Sequence, residues 1–412
     1  MTEFFNVMPP LAAIDLLISN LSLIGTVKVR TENSLGLVLA KSEYSDEELP
    51  RFNRSSMDGY SVRALDTYGA SDSLPAYLEM VGEISMGQKS GISLSEGEAA
   101  IAYTGGMLAE RADAVVMIEH TKISPSGLLE VYRPVATGEN VIMAGEDFRS
   151  GDLLVESGVT INHVQLGALL AVGNSCVVVR RRMKVSVISS GDELVGPDDE
   201  VSEGLVRDVN LYTVAALVEK LGATPILFPR VRDDFDQLLK VGKQALSESD
   251  VVIFTAGSSV SSRDLTSKVV NQLGVPGVLV HGLSVKPGKP TILGIADGKL
   301  VIGLPGNPVS AVTIFNMVAT PIMEYVSGGA ISTNDNAITA ILNSDLHSSS
   351  GRTDYVRVKL DHPEGEIVAS PVYGKSNLIS TILASDGYIE IKAETTGLYE
   401  GTLVEVYLDP IG

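Results

Sequence analysis

The feature that most limits the fold is a regular alternation of strand-like and helical segments between residues 183 and 329. The predicted strands are 184–189, 225–231, 250–255 and 278–281, and the predicted helices are 209–221, 235–246 and 265–273. This order specifies a doubly wound, mostly parallel sheet with helices on both faces. Such sheets bind their ligands at the carboxyl ends of the strands. We therefore predict an α/β domain with a binding site at that edge.

Acidic side chains follow three of these strands. Glu193 comes after the first strand, Asp233 after the second and Asp264 in the segment after the third. A single carboxylate in a loop usually caps a helix or stays solvated. Strand ends that meet at one edge favour a metal site instead, because Mg²⁺ takes one or two carboxylates together with waters and phosphate oxygens. We therefore predict that Mg²⁺ is bound at this edge by carboxylates among Glu193, Asp233, Asp264 and the neighbouring Asp192 and Asp234.

The segment after the third strand also offers donors for a phosphate group. Its sequence, TAGSSVSSRD, contains Gly257 and Ser259. Serine hydroxyls and successive backbone N–H groups in such a turn form a concave site for anions. We predict that Gly257 and Ser259 bind the phosphate of a ligand.

Two lysines flank a Pro-Gly pair in the sequence KPGKPT, and they are Lys286 and Lys289. Proline fixes φ and glycine frees the next turn, so both ammonium groups sit on a stiff loop. The loop follows the fourth predicted strand and therefore reaches the same edge of the sheet. We predict that it binds an anion.

A second anion-binding element follows in GLPGNPVSA. The apolar run 300–304 predicts a strand that stops at Pro305 and Gly306, with Asn307 as the cap and Pro308 as the first residue of a helix. Backbone N–H groups at a helix N-terminus are unpaired and attract negative charge. The alternative is a strand-turn-helix that only packs, but the two preceding lysines favour an anion site.

The rest of the chain predicts further domains. At 412 residues, the chain should divide into about two to four domains. Residues 51–139 contain short apolar runs broken by glycine and predict a small, mainly β domain, and residues 330–412 predict a small β-barrel or sandwich. On the residues alone, Asp58 is typical of an exposed turn and Arg352 of a surface position.

Composition excludes several classes of function. The 31 basic and 51 acidic residues give a net charge of −20, which argues against nucleic acid or anionic lipid as a partner. The lone Cys176 cannot form an internal disulfide. The sequence contains no Rossmann fingerprint, Walker A loop, nucleophile elbow or zinc-type cluster. It has no basic leader region and no uninterrupted apolar run of about 18 residues, which predicts a cytoplasmic protein.

Together, KPGKPT and GLPGNPVSA resemble the signature of the MoeA/gephyrin E-domain family, the molybdopterin molybdotransferases that complete molybdenum cofactor. Further blocks extend the resemblance over most of the chain. SSMDGY, GEDFRSGD and the Thr-Gly pair at 104 match family motifs around Asp58, Asp147 and Thr104. Near the C-terminus, GRTDYVR contains Arg352 and the GKS turn contains Ser376.

The resemblance implies a fold and a reaction. The fold comprises a MogA-like α/β domain at 183–329, an elongated linker domain built from 1–50 and 140–182, the small β domain and the C-terminal β domain. The reaction is insertion of molybdate into adenylylated molybdopterin, with release of AMP and with Mg²⁺ as cofactor. The family cleft is completed by a second subunit, so a homodimer is implied. A MogA/MoaB-type adenylyltransferase and molybdoenzyme apoproteins are the implied partners.

The resemblance also implies roles for the candidate residues. Glu193, Asp233 and Asp264 would hold Mg²⁺ against the pyrophosphate, and Asp58, Thr104 and Asp147 would contribute from across the cleft. The residues that would bind molybdate are Lys286, Lys289, Arg352 and Ser376, with the backbone amides near Pro305, Gly306, Asn307 and Pro308.

Two alternatives remain open. The MogA-like domain allows a molybdopterin adenylyltransferase, although the flanking domains and the KPGKP and PGNP motifs favour the insertion step. Three departures from the family motifs allow a non-catalytic paralogue or scaffold that binds the cofactor or a partner enzyme. Ala256 and Ser261 replace glycines, and Ile101 replaces a basic residue.

Overall fold

The computed structural model describes residues 7–256, 260–331 and 337–409. The first elements are α1 (Pro10–Ile18), β1 (Thr26–Arg30) and β2 (Glu43–Tyr44). Proline opens α1 at the position where a missing N–H removes no intrahelical hydrogen bond. Ala13 and Leu17 are fully buried, and they pack this helix onto the core of the α/β domain described below.

Residues 54–131 form a small β domain. Its strands are β3 (Arg54–Ser55), β4 (Gly59–Val62), β5 (Ala76–Glu83), β6 (Glu98–Ala102), β7 (Ala114–Met117), β8 (Thr121–Ile123) and β9 (Leu129–Val131). Strands β4 to β9 form one six-stranded sheet in the order β7-β4-β6-β5-β9-β8. Gly59 allows close pairing within this sheet, because a Cβ there would lie 2.0 Å from the carbonyl oxygen of Val116.

The following segment returns to the start of the chain. It contains β10 (Val141–Ile142), β11 (Leu153–Val155), α2 (His163–Ala171) and β12 (Cys176–Arg180). Strand β12 pairs with β1, β11 with β2 and β10 with β3, all antiparallel. Asn162 begins α2 with a capping box that includes Gln165. Two stretches that are far apart in the sequence therefore form one structural unit.

Residues 184–326 form the α/β domain. Its elements are β13 (Lys184–Ser190), β14 (Leu194–Val195), β15 (Val206–Arg207), α3 (Asn210–Lys220), β16 (Thr224–Leu227), α4 (Phe235–Glu248), β17 (Val251–Ala256), α5 (Val260–Leu273), β18 (Pro276–His281), β19 (Val285–Lys286), β20 (Ile292–Ala296), β21 (Lys299–Leu304), α6 (Pro308–Ile314) and α7 (Thr320–Val326). A π-helical turn, Phe315–Ala319, connects α6 to α7. The main sheet has the order β16-β13-β17-β21-β20-β18. Its first four strands are parallel, which confirms the predicted fold class.

The sheet is mixed, because β20 runs antiparallel to both of its neighbours, β18 and β21. Strand β20 was not among the predicted strands. It joins β21 through a two-residue turn at Asp297 and Gly298, whose φ angles of 50° and 80° suit a type I′ hairpin. The predicted strand 225–231 is shorter than expected: β16 ends at Leu227, and Val231 makes only an isolated bridge with Ser190.

Alternate residues of the parallel strands face two helical layers. Val187 and Ile253 belong to a core that α1, α3, α6 and α7 cover. Ile188 and Phe254 belong to the opposite core, which α4 and α5 cover. Both faces of the sheet are therefore buried, and ligands can reach it only at the strand ends.

The C-terminal part is a closed β-barrel. Its elements are β22 (Ala337–Leu342), β23 (Leu346–His347), β24 (Thr353–Asp361), β25 (Val368–Pro371), α8 (Ser380–Leu383), β26 (Gly387–Ile391), β27 (Gly397–Leu398) and β28 (Leu403–Leu408). The barrel strands pair in the order β24-β25-β22-β28-β26, and pairing of β26 with β24 closes the ring. Strand β19 of the α/β domain adds to β24 in parallel, with Lys286 opposite Asp354.

One helical segment, Pro308–Val326, is long and apolar enough by composition to cross a membrane. In this structure 61% of its apolar window is buried. Ile314, Val318 and Ile322 are completely inaccessible within the core of the α/β domain. Burial in that core explains the apolar composition of the segment.

Gly288, in the lysine loop, allows a sharp test of this fold. Its φ is 109°, and a Cβ there would lie 2.4 Å from Cδ1 of Ile314, which is fully buried. Gly298 also has a positive φ, of 80°, but has open space around it. We expect Gly298→Ala to destabilise the protein by about 1–2 kcal/mol through φ alone. Gly288→Ala should lower the free energy of unfolding by about 1–3 kcal/mol more than Gly298→Ala does, because the added methyl group overpacks the core.

Urea unfolding of both variants and the wild type measures these free energies. Equal losses in the two variants would contradict the close contact between Gly288 and Ile314.

Candidate functional site

A crevice of about 1120 Å³ lies between the α/β domain and the barrel. The α/β domain contributes the lysine loop at 283–290 and the turn after β21. The barrel contributes the loop that leads into β24 and the turn that follows β25. The crevice therefore forms where the predicted anion-binding loops of one domain face polar loops of the other.

Seven of the predicted site residues line this crevice. They are Lys286, Lys289, Pro305, Gly306, Asn307, Arg352 and Ser376. Pro308 is not among the lining residues, although its neighbours Asn307 and Val309 are. The lysine loop and the PGNP turn thus meet Arg352 and Ser376, which are more than 40 residues further along the chain.

Asp354 forms part of the wall of the crevice. Its side chain is only 4% exposed and lies between two cations. Arg352 donates from Nε to Oδ1 at 2.8 Å, and Nζ of Lys286 lies 4.0 Å from Oδ2. Lys286 is the strand partner of Asp354. Arg352 lies in the loop just before β24, two residues before Asp354.

The turn after β21 is fixed by contacts to the barrel and to α3. Asn307 stands at the cap position of α6, but its side chain makes no capping bond, which corrects the prediction. The Nδ2 of Asn307 donates instead to the hydroxyl of Ser376 at 2.9 Å, and the N–H of Val309 donates to the Ser376 carbonyl at 3.1 Å. Asn210 donates to the carbonyl of Gly306 at 2.8 Å. The helix N-terminus is thus partly occupied by the Ser376 turn.

Cations outnumber carboxylates in the crevice. Its charged lining residues are Lys286, Lys289, Arg352, Arg357, Lys375, Asp345 and Asp354. Arg357 is committed to Asp409 and Ser385 in the barrel. The remaining cations still give the crevice an excess of positive charge in a chain whose net charge is −20. This local excess of positive charge suits an anionic ligand.

Asp354 and His347 also line the crevice, and neither was among the predicted site residues. For Asp354 a local signal existed, because it stands two positions after Arg352 in the sequence. For His347 no local signal exists. It reaches the crevice through the short pairing of β23 with β27, a contact between distant parts of the chain.

Asp58 and Thr104 also meet, but in the small β domain. Thr104 donates to Asp58 Oδ1 from its backbone N–H at 2.8 Å and from its hydroxyl at 2.9 Å. These bonds, the backbone one first, hold the pKa of Asp58 below its ordinary value because they favour the charged carboxylate. Both residues are exposed and outside the crevice lining, and so is Asp147 in the segment after β10.

Glu193 and Asp233 follow neighbouring strand ends. Ser190 makes a parallel bridge with Val231, and the N–H of Gly191 donates to the Val231 carbonyl at 3.2 Å. Glu193 and Asp233 come shortly after these residues and lie at the same edge of the sheet. Both are half-buried, and neither belongs to the lining of the crevice.

The rest of the predicted Mg²⁺ and phosphate set lies outside the described residues. This applies to Gly257 and Ser259 and to the side chain of Asp264, whose backbone belongs to α5. Within the part of the chain that the structure describes, no three His, Cys, Asp or Glu side chains form a metal site. Two carboxylates at one edge fit Mg²⁺, which needs only one or two from the protein. The metal site stays a prediction.

The Asp58 pair gives a prediction about pKa. Thr104→Val removes the hydroxyl donor and keeps the backbone one, so the pKa of Asp58 should rise part of the way to its ordinary value. Thr104→Ser keeps both donors and should leave the pKa low. A pH titration of the carboxyl carbon by NMR measures both shifts. A Thr104→Val protein with an unchanged Asp58 pKa would contradict the hydroxyl bond.

The sign of the linkage follows from the lowered pKa. A carboxylate with a depressed pKa stabilises the folded state above its unfolded pKa, and this contribution is lost as the pH falls through the folded pKa. The Asp58–Thr104 contact should therefore weaken only in acid.

Comparison with known proteins identifies the family. Residues 8–173 match the MoeA N-terminal region (domain I and II), residues 186–325 a "Probable molybdopterin binding domain", and residues 339–408 the MoeA C-terminal region (domain IV). The molybdopterin molybdenumtransferase of Bacillus subtilis is 31% identical over 92% of this chain and 89% of its own length. The molybdopterin molybdenumtransferase of Staphylococcus aureus is 29% identical over 98% of this chain and 96% of its own length.

A solved structure agrees with these matches. The crystal structure of the molybdopterin biosynthesis MoeA protein from Pyrococcus horikoshii superposes with a TM-score of 0.82, at 35% identity, over 98% of this chain and 99% of that one. The fold, the three family regions and the full-length relatives agree, and the chain belongs to the MoeA family of molybdenum cofactor biosynthesis proteins.

Proposed function

We propose that this protein is a molybdopterin molybdenumtransferase, which inserts molybdate into adenylylated molybdopterin and releases AMP. The observation that carries the proposal is the crevice, where Lys286, Lys289 and Arg352 face the Ser376 turn in an otherwise acidic protein. Relatives named for this activity are similar over about nine tenths of their length. Their name supports the reaction, and the crevice supports its anionic substrate.

The crevice suits a tetrahedral oxyanion. Molybdate carries two negative charges and four acceptor oxygens, so it needs several donors of which some are charged. Lysine offers three N–H donors and arginine a planar fork of five. Charge-assisted hydrogen bonds of this kind are about twice as strong as neutral ones. Lys286, Lys289 and Arg352 would bind the oxyanion, and Ser376 and Asn307 would fix its orientation.

Mg²⁺ would be held at the carboxyl edge of the sheet by Glu193, Asp233 and Asp264. A bound Mg²⁺ supplies positive charge to phosphate oxygens. Gly257 and Ser259 follow β17 in the sequence and would bind the phosphate of the same substrate. The protein would thus bind the substrate by its phosphates at one place and the oxyanion at another.

The residues of the site point to stabilisation of charge rather than to a nucleophile from the protein. The crevice lining contains no cysteine within the described chain, and its one histidine, His347, is exposed. Fixed donors that face a developing negative charge are sufficient for the departure of AMP. At the carboxyl edge of the sheet, Mg²⁺ held by Glu193, Asp233 and Asp264 would supply that positive charge to the phosphates. The cationic side chains of the crevice would stabilise the negative charge of the oxyanion.

We further propose that a second subunit completes the site. Asp58, Thr104 and Asp147 do not line the crevice of their own chain. A homodimer would let one chain supply these residues to the crevice of its partner. The proposal includes a cytoplasmic location, a MogA/MoaB-type adenylyltransferase that supplies the substrate, and apoenzymes that receive the product.

An assay of AMP release tests the reaction. The protein is incubated with adenylylated molybdopterin, Mg²⁺ and molybdate, and AMP is measured with and without molybdate. Lys289→Ala should lower the molybdate-dependent rate by roughly 10- to 100-fold, because it removes a charged donor. Lys359→Ala is the matched control, since Lys359 is an exposed lysine of β24 outside the crevice.

The same assay separates the alternatives. When ATP and molybdopterin replace the adenylylated substrate, consumption of ATP without molybdate would indicate an adenylyltransferase. Binding of substrate with no release of AMP would indicate a non-catalytic paralogue. Ile101, which replaces a basic residue of the family motif, gives little support to a non-catalytic paralogue. It lies within β6 and packs against the core of the small β domain.

A mixing experiment tests the shared site. Asp58→Asn and Lys289→Ala should each inactivate the homodimer. Dimers formed from equal amounts of the two variants should recover roughly a quarter of the wild-type activity, since about half are mixed and each mixed dimer has one intact site. No recovery after verified subunit exchange would mean that each chain forms its site alone.

A further inference from the structure

The wall of the crevice contains a carboxylate in an unexpected place. Asp354 is 4% exposed, next to a site that should bind an anion. A buried carboxylate is unfavourable unless cations and hydrogen bonds compensate for lost hydration. Here the compensation comes from Arg352, through Nε at 2.8 Å and Nη2 at 3.5 Å, and from Lys286 at 4.0 Å.

The same contacts restrain the two cations. The side chains of Lys286 and Arg352 are 62% and 37% exposed, so without Asp354 they would sample many rotamers. Side chains that are ordered before a ligand arrives lose less entropy when it binds. Two of the three Arg352 nitrogens contact Asp354. The Nη1 donors have no acceptor among the described residues and remain for a ligand.

We propose that Asp354 is a positioning residue for the oxyanion: it holds Arg352, and more loosely Lys286, in the orientation that binds molybdate. This inference rests on the proposed function, because it names what prepares that site. Asp354 itself does not contact the anion. Its negative charge also opposes anion binding, so the proposal requires that the gain in orientation exceeds this repulsion.

A merely structural role is the competing explanation. Lys286 and Asp354 are partners in the pairing of β19 with β24, so Asp354 could serve only to join the barrel to the α/β domain. Both roles predict some loss of stability when Asp354 is replaced. Only the positioning role predicts that the effect of Asp354 on anion affinity depends on Arg352.

A double-mutant cycle on the full chain distinguishes the two. The Kd of inorganic molybdate is measured by calorimetry at constant ionic strength for wild type, Asp354→Asn, Arg352→Gln and the double variant. Asp354→Asn should weaken binding by about tenfold, and it should add almost nothing once Arg352 is gone. Asp361→Asn, an exposed carboxylate of the same strand outside the crevice, is the control.

Asp354→Glu is a second variant that keeps the charge if Asp354→Asn does not fold. The longer side chain moves the carboxylate, so positioning predicts weaker molybdate binding in a folded protein, whereas unchanged binding would overturn it. Additive effects in the cycle, or tighter binding by Asp354→Asn, would also overturn it. If the wild type binds molybdate but releases no AMP, the proposed function fails while the cycle still decides the role of Asp354.

Discussion

The crevice depends on one short strand pairing. Val285 and Lys286 leave the α/β domain and pair in parallel with Thr353 and Asp354 of the barrel. This pairing brings the lysine loop opposite residues that are more than 60 positions away in the sequence. The contact of the Ser376 turn with α6 holds the other side. The backbone pairing therefore sets the distance between the two walls, and this distance fixes how far apart the side chains on them lie.

Charge is distributed unevenly between the surface and the site. A chain with a net charge of −20 repels anions at long range, and that repulsion falls off within about 8 Å at physiological salt. Within the crevice the cations act at contact distance. The arrangement favours ligands that match the donors closely over anions in general.

Sequence reasoning found the parts of this structure that depend on local patterns. The alternation from Lys184 onwards predicted the sheet and the layers on its faces, because strands and helices have different periods. The Asp297-Gly298 turn is an equally local signal, and it marks the hairpin that joins β20 to β21. Asn307 stands at the predicted cap position but makes no capping bond, and its Nδ2 donates to the distant Ser376 instead.

What local patterns leave open is which distant loops meet. That Arg352 and Ser376 face the lysine loop came from the family resemblance, and their spacing alone does not imply it. Residues of both domains line the crevice. Binding of a ligand that contacts both walls would therefore be coupled to the docking of the two domains. A ligand that bridges Lys289 and Ser376 would stabilise the docked arrangement of the two domains by RT ln(1 + [L]/Kd). The bound substrate would thus also hold the α/β domain and the barrel together.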